Sequence, residues 1–296
     1  MDNVIETSGL VKNYRRRPAL RGIDLLVPRG VVCGYLGPNG AGKTTTIRIL
    51  VGLIRPSAGS AAVFGLDVVR RREEAQRHVG YLPGEFVGYP DLTGGQYLNF
   101  LGRLRGGVDA ALVRRLAERL DLDLTTRIGA LSHGNRQKVG IVQAFMHRPD
   151  LLVLDEPTAG LDPLAQREFL ALVREARDEG RTMFLSSHVL SEVEAVAERV
   201  AILRQGQLLV VESVDKLKAR ALRRMELTFE AEPPIAHLRT VPGVREAVAD
   251  GSTVHLVIEG SVADLLEAAA PHRVARVVTH EPDLEEIFVT YYEREA

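Results

Sequence analysis

The sequence predicts an α/β fold built on a largely parallel sheet, interrupted by a helical subdomain and followed by a smaller α+β unit. Over the first two hundred residues, short apolar β-type runs alternate with helical patterns, the order expected of strands joined by crossover helices. Between about 91 and 148 the pattern is helical throughout. From about 213 onward it changes to strand, helix, strand, strand, helix, strand, helix.

Each element has a local reason. "IDLLV" (23–27) alternates in polarity, whereas "VVCGYL" (31–36) is a continuous apolar run that ends in a glycine-rich turn, as a buried strand should. Beyond the turn Ile47, Leu50, Val51 and Ile54 recur at helical spacing. Leu112, Val113, Leu116 and Leu120 share one face of a helix in the helical subdomain. Buried strands follow at "LLVL" (151–154), "TMFLS" (182–186) and "VAIL" (200–203), the last facing "LLVV" across a hairpin turn "RQGQ".

These elements divide the chain into a first domain at 1–212, a charged helical linker at 213–223 and an accessory domain at 224–296. In the accessory domain Met225, Leu227 and Phe229 line one strand face, and Val254, Leu256 and Ile258 another. Val262, Leu265, Leu266 and Ala269 form one helical stripe; Leu284, Ile287, Phe288 and Tyr291 form the next. Its first six elements have the order of a ferredoxin-like β-α-β-β-α-β unit.

The bulk numbers narrow the classes of function. With 296 residues, a formal charge of −1, 26% charged and 45% hydrophobic residues, the chain can bury a large core and has no general affinity for nucleic acid. The basic runs at 15–17 and 70–72 are short and lack regularly interleaved aromatics, so solvated surface explains both. One cysteine, Cys33, excludes an internal disulfide and any multi-cysteine zinc site, which makes the reducing cytoplasm the default compartment. The acidic start "MDNVIETSGL" lacks the regions of a signal peptide, and no run reaches the roughly 18 apolar residues of a membrane span. Any membrane role is expected to come through a partner.

Against that background the residues that carry chemistry stand out. "GPNGAGKT" (37–44) fits G-x-x-x-x-G-K-[ST], directly after a buried strand and directly before a helix. Gly37, Gly40 and Gly42 let backbone N–H groups turn toward a phosphate, Asn39 and Thr45 flank that cradle, Lys43 reaches the outer phosphates, and Thr44 offers a hydroxyl to Mg²⁺. Lysine occurs only at 12, 43, 138, 216 and 218, so its presence in the key slot is informative. "LLVLDEP" (151–157) is an apolar strand ending in two carboxylates: Asp155 would bind Mg²⁺, and Glu156 would accept a proton from, or orient, the attacking water. His188 in "LSSHVLSEVE" follows the next apolar strand and should emerge on the same sheet edge. "LSHGNRQK" (131–138) on its own is a helix start in which Ser132 serves as N-cap.

Together these motifs resemble the nucleotide-binding subunit of ATP-binding-cassette (ABC) proteins over roughly residues 3–212. The resemblance implies a P-loop NTPase cassette with ATP and Mg as cofactors, Tyr14 stacking on adenine, "LSHGNRQ" as the signature, "AGLDP" with Asp162 as the D-loop, and His188 as the switch histidine. It also implies a head-to-tail dimer with a second copy, in which Ser132 and the backbone N–H of Gly134 face the γ-phosphate held by the partner's phosphate loop. Two positions depart from the family pattern. His133 and Asn135 stand where the commonest signature has glycine and glutamine, and "GYLPGEF" (80–86) places Gly84 where the family has a metal-sensing glutamine, so either Glu85 substitutes for it beside the metal or the coupling differs.

A single cassette, the string "SSHVLSEVE" and a tail ending "EPDLEEIFVTYYE" are similar to the ATPase subunits of bacterial drug-resistance exporters. The expected protein is thus an ATP hydrolase, peripheral on the inner face of the cell membrane. It would energise a separately encoded integral membrane permease that exports a drug, lipid or other amphiphile. The alternatives are a soluble non-transport ABC ATPase and a regulatory ATP-binding module; the combination of Lys43, Asp155, Glu156 and His188 weighs against the latter.

Overall fold

A computed structural model describes residues 2–15, 17–280 and 282–293, with the side chains of Arg220 and of 290–293 outside that description. Arg16 of the first basic run and the side chain of Tyr291 therefore lie outside the described set. The strands are β1 (Asn3–Tyr14), β2 (Arg17–Pro28), β3 (Val32–Leu36), β4 (Ala58–Val63), β5 (Leu66–Asp67), β6 (Val79–Leu82), β7 (Leu151–Asp155), β8 (Thr182–Ser187), β9 (Arg199–Arg204) and β10 (Gln207–Ser213), continuing in the tail with β11 (Leu222–Phe229), β12 (Val244–Asp250), β13 (Thr253–Glu259) and β14 (Val274–His280). The helices are α1 (Lys43–Leu50), α2 (Arg72–Arg77), α3 (Gly94–Leu104), α4 (Ala110–Arg119), α5 (His133–Phe145), α6 (Pro163–Asp178), α7 (Leu190–Glu194), α8 (Val214–Arg220), α9 (Ile235–Leu238), α10 (Ala263–Ala269) and α11 (Leu284–Glu293). The chain forms two compact units, 1–211 and 212–296.

In the first unit a six-stranded sheet runs in the order β10-β9-β3-β8-β7-β6. Its inner strands β3, β7 and β8 are buried at every residue, as continuous apolar runs in a parallel sheet require. Parallel registers pair Leu36 with Ser187 and Asp155 with Ser186, so the C-terminal ends of three adjacent strands meet at one edge. Ligands of α/β sheets bind at such edges. A second sheet, β2-β1-β4-β5, is antiparallel; the alternating run 23–27 lies in β2, whereas the bulge-interrupted β1 and the short β4 and β5 escaped the sequence pattern. Between the sheets, Ile5, Leu10, Ile23 and Leu25 join Tyr35, Ile47, Ile49 and Phe184 in one core cluster.

The helical stretch forms with ordinary capping. Thr93 and Gln96 make a reciprocal capping box on α3, Asp109 caps α4 and Ser132 caps α5. On α4, Leu116 and the flanking Leu120 are buried while Leu112 and Val113 are only half-buried. Helix α1 is shorter than its apolar spacing suggests: Val51 is its C-cap, Gly52 takes φ 70°, and Ile54 lies beyond it.

Near the end of α5, burial, followed by the charge of Arg105, pushes His147 from its ordinary 6.5 down to about 4. Its Nε2 lies 3.3 Å from the Val79 carbonyl. Below pH 6.5 the unfolded chain binds a proton that the folded chain refuses, so stability is expected to fall as pH drops toward 4. His147→Gln, which cannot titrate, should lose less melting temperature than wild type between pH 7 and pH 5. Equal losses in parallel thermal melts would show that His147 does not contribute.

In the second unit the order β11-α9-β12-β13-α10-β14 gives an antiparallel sheet ordered β12-β13-β11-β14. Met225, Leu227, Phe229, Val254, Leu256, Ile258, Leu265 and Ala269 form its core. Leu266, expected on the same stripe, is 40% exposed instead, because the buried face follows the i, i+4 pair Leu265 and Ala269. The segment expected as a helical linker holds α8, which buries Val214 and Leu217, while Leu222 and Arg223 already belong to β11.

Candidate functional site

The loop between β3 and α1 is shaped by its glycines. Gly42, the N-cap of α1, has φ 114°, and a Cβ there would stand 2.8 Å from both the Ala19 carbonyl and Leu20 Cδ2. At Gly37 a Cβ would meet the Leu203 carbonyl at 2.5 Å, and Gly40 has φ 81°. Only glycine satisfies these positions. The buried Lys43 ammonium turns back over the loop, donating to the Gly37 carbonyl at 2.6 Å and to the Pro38 carbonyl at 3.4 Å. Helix α1 is tied to its strand by Tyr35 and Thr46, whose hydroxyls are 3.0 Å apart. Thr44 and Thr45 are half-buried in the first turn, and Asn39 is exposed on the loop.

Strand β7 delivers the carboxylates. Asp155 is 1% exposed, and its Oδ1 accepts a 2.5 Å hydrogen bond from Ser186 Oγ on β8. Glu156 follows with φ 47°, a left-handed backbone outside glycine, and its N–H donates to both the carbonyl and the Oγ of Ser186 at 3.1 Å. The Glu156 carboxylate joins two other predicted groups: Oε1 lies 3.4 Å from Lys43 Nζ, and Oε2 lies 2.6 Å from His188 Nδ1. His188 also donates its backbone N–H to Glu156 Oε2 at 3.3 Å. Lys43, Glu156 and His188 thus form one connected cluster.

The signature segment is wired to the loop after β7. Ser132 Oγ accepts from the Asn135 N–H at 3.2 Å, as a cap should. The His133 ring covers Gly160: a Cβ on Gly160 would come within 2.4 Å of His133 Cδ2. Gly134 must remain small, since its Cβ would lie 2.5 Å from the Gly160 carbonyl. Asp162 caps α6 through the N–H groups of Leu164 and Ala165 and pairs with Lys138 Nζ at 3.4 Å; the hydrogen bond from Ala165 leads the causes that hold its carboxyl below the usual range.

The remaining expectations fare differently. Tyr14 ends β1 at 45% exposure with Lys12 Nζ 5.3 Å from its ring centroid, leaving the ring available for stacking. Gly84 is the residue that faces Asp155, a Cβ built on it lying 3.4 Å from Asp155 Oδ2, while Glu85 is exposed. Among the described residues no group of three histidine, cysteine or acidic side chains is arranged as a metal cage. Sequence reasoning missed Ser186, Gln137 and the pair Thr158–Glu192. Thr158 donates to Glu192 Oε2 at 2.5 Å, and burial first of all holds the Glu192 carboxyl above its ordinary range. "SS" before His188 and the "Q" that ends "LSHGNRQ" were visible, but the partners of Ser186 and Gln137 lie 19 to 31 residues away.

A strand, glycine loop and helix with a carboxylate pair on a nearby parallel strand define a P-loop ATP-binding protein. The chain belongs to the ABC transporter ATP-binding family, whose model matches residues 20–159. It is 40% identical over 221 residues to the daunorubicin/doxorubicin resistance ATP-binding protein of Streptomyces peucetius, covering 73% of this chain and 67% of that one. It is 31% identical over 293 residues to a fluoroquinolones export ATP-binding protein of Mycobacterium tuberculosis, covering 97% and 92% of the two chains. A solved ATP-binding subunit of an ABC transporter superposes with TM-score 0.67 at 31% identity, over 73% of this chain and 92% of that one. No described helix is long and apolar enough to cross a membrane.

Proposed function

We infer that the chain hydrolyses ATP and that its turnover energises a separately encoded membrane permease exporting a drug, lipid or other amphiphile. The observation that carries this reading is the convergence of Lys43 and His188 on the Glu156 carboxylate. A module that merely binds nucleotide has no need of an acid joined to both a phosphate-seeking cation and an imidazole. Resistance and export are what the names of two relatives state of those proteins.

The donors fit magnesium. One carboxylate, Asp155, and one hydroxyl, Thr44, supply hard oxygens and leave room for water and phosphate, the usual sharing at such sites. Mg²⁺ bound there with the nucleotide would offset charge on the outer phosphate oxygens. With ATP present Lys43 exchanges its own loop carbonyls for phosphate oxygens, Glu156 orients the attacking water, and His188 holds the carboxylate in place. A head-to-tail dimer, in which Ser132 and Gly134 of one chain complete the partner's site, belongs to this proposal, as does a position on the inner face of the membrane. The 212–296 unit is read as ferredoxin-like, taking no part in the chemistry.

The test is phosphate release from Mg-ATP by the purified chain, followed by its co-expression with candidate membrane permeases in drug-sensitive cells. Steady release together with lower drug accumulation, both abolished by Lys43→Ala, is expected. Tight ATP binding without release would overturn the hydrolase reading in favour of a regulatory module.

A further inference from the structure

We propose that Gln137 is a positioning residue for Glu156: its side-chain amide holds the left-handed turn that carries the carboxylate and ties the signature helix to the hydrolytic group of the same chain. The proposal rests on the ATP-hydrolysing reading above.

A non-glycine residue in the left-handed region persists only where its surroundings over-determine it. At Glu156 the two flanks of the turn are gripped by different elements. On the N-terminal flank Ser186 of β8 takes the Glu156 N–H with its carbonyl and hydroxyl, and the same hydroxyl donates to Asp155. On the other flank Gln137 Nε2 donates to the Glu156 carbonyl at 3.3 Å and to the Pro157 carbonyl at 3.1 Å. Rotation of the Glu156 peptide would break bonds on both sides. The direction of the carboxylate therefore depends on both clamps.

The chemistry of Gln137 supports a role beyond filling space. The side chain is 1% exposed, and its Oε1 is buried with no hydrogen-bond partner among the described residues. Two carbonyl acceptors face the other end of the amide, so the NH₂ group must occupy that end. An apolar side chain of the same length would spare the buried Oε1 but would take this donor from the Glu156 and Pro157 carbonyls. What glutamine adds is a pair of donors on the backbone of the catalytic turn.

Its place in the chain gives that grip a consequence. Gln137 lies on α5, five residues after Ser132, and α5 touches the same loop again through His133 against Gly160 and Lys138 with Asp162. Of these three braces only Gln137 reaches the main chain of Glu156. A displacement of the signature helix is thereby passed to the carboxylate.

The experiment compares Gln137→Met, which keeps length and removes both polar groups, in the wild-type and Glu156→Gln backgrounds of the full-length chain. Expected in the wild-type background is a kcat about tenfold lower, with KM and ATP affinity within about twofold and a melting temperature still well above that of the assay. In the Glu156→Gln background the same substitution should change the residual single-turnover rate by less than about twofold, because the group it positions is gone. Gln137→Glu supplies a second measure. Only its protonated form can donate to the carbonyls, so its kcat relative to wild type should rise as pH is lowered. A Gln137→Met kcat within twofold of wild type, equal losses in the two backgrounds, a fall in ATP affinity or melting temperature that accounts for the loss, or a low Gln137→Glu ratio flat with pH would each overturn the proposal. If the unmutated chain releases no phosphate, the hydrolase reading itself fails. If it turns over, Glu156→Gln does not, and Gln137→Met matches wild type, only the positioning role fails.

Discussion

Purified Glu156→Gln is expected to bind ATP at least as tightly as wild type and to lose turnover by about 10²- to 10⁴-fold, the span over which a positioned proton acceptor acts. The substitution keeps the shape of the side chain and leaves an amide oxygen able to accept from His188. It removes the negative charge that lies 3.4 Å from Lys43 Nζ. In the nucleotide-free chain that charge competes with phosphate for the lysine, so its loss should favour binding while it deprives the attacking water of its acceptor. Equilibrium titration with a fluorescent ATP analogue and single-turnover phosphate release measure the two effects separately. Turnover near the wild-type rate would remove Glu156 from the catalytic role, and weakened binding would show that the carboxylate organises the phosphate loop.

Why these two carboxylates were legible in the sequence is a matter of range. The phosphate loop, the strand-end acids and the histidine are each set by a run of fewer than ten residues, in which an apolar strand fixes direction and its last residues are delivered to the sheet edge. Parallel pairing of β3, β8 and β7 then aligns them without further information. The supports of the site obey no such local rule. Ser186 belongs to a strand that reads as core, Gln137 to a helix interior, and Thr158 finds Glu192 only after both chain segments have folded.

The positive φ of Glu156 was hidden for the same reason, since side chains from two other elements impose it. A missing glutamine was visible at Gly84, whereas its neighbour's exposure was not: the β6–α3 connection presents the glycine backbone to Asp155 and turns Glu85 outward. Of the antiparallel sheet only the alternating run 23–27 in β2 was legible, because β1 interrupts its alternation with repeated register shifts, which erase a period-two signal. The helix expected within 213–223 is present as α8, and its Val214 and Leu217 are spaced to bury one face.

The contacts of Ser132 within its own chain describe a helix cap, and the trans-acting role predicts a specific rescue. Lys43→Ala and Ser132→Arg are each expected to be inactive as homodimers, because both composite sites carry the lesion. Replacing the Ser132 cap costs on the order of 1 kcal/mol, so melting temperatures should show that the arginine variant still folds. Mixed dimers differ. If each ATP lies between one chain's Lys43 and the other chain's Ser132, one composite site collects both substitutions and the other is intact, and co-assembling the two inactive variants should restore part of the ATPase activity. In a site built within one chain, every copy in the mixture stays damaged and no rescue can occur. Because the rescue requires that a single intact site can turn over alone, a parallel mixture of Lys43→Cys and Ser132→Cys chains is assayed for ATP-dependent crosslinking between different chains. Recovered activity, or the crosslink without it, assigns Ser132 to the partner's nucleotide. Neither activity nor crosslink would leave Ser132 with the contact it has in the single chain, its hydroxyl accepting the Asn135 N–H at the start of α5.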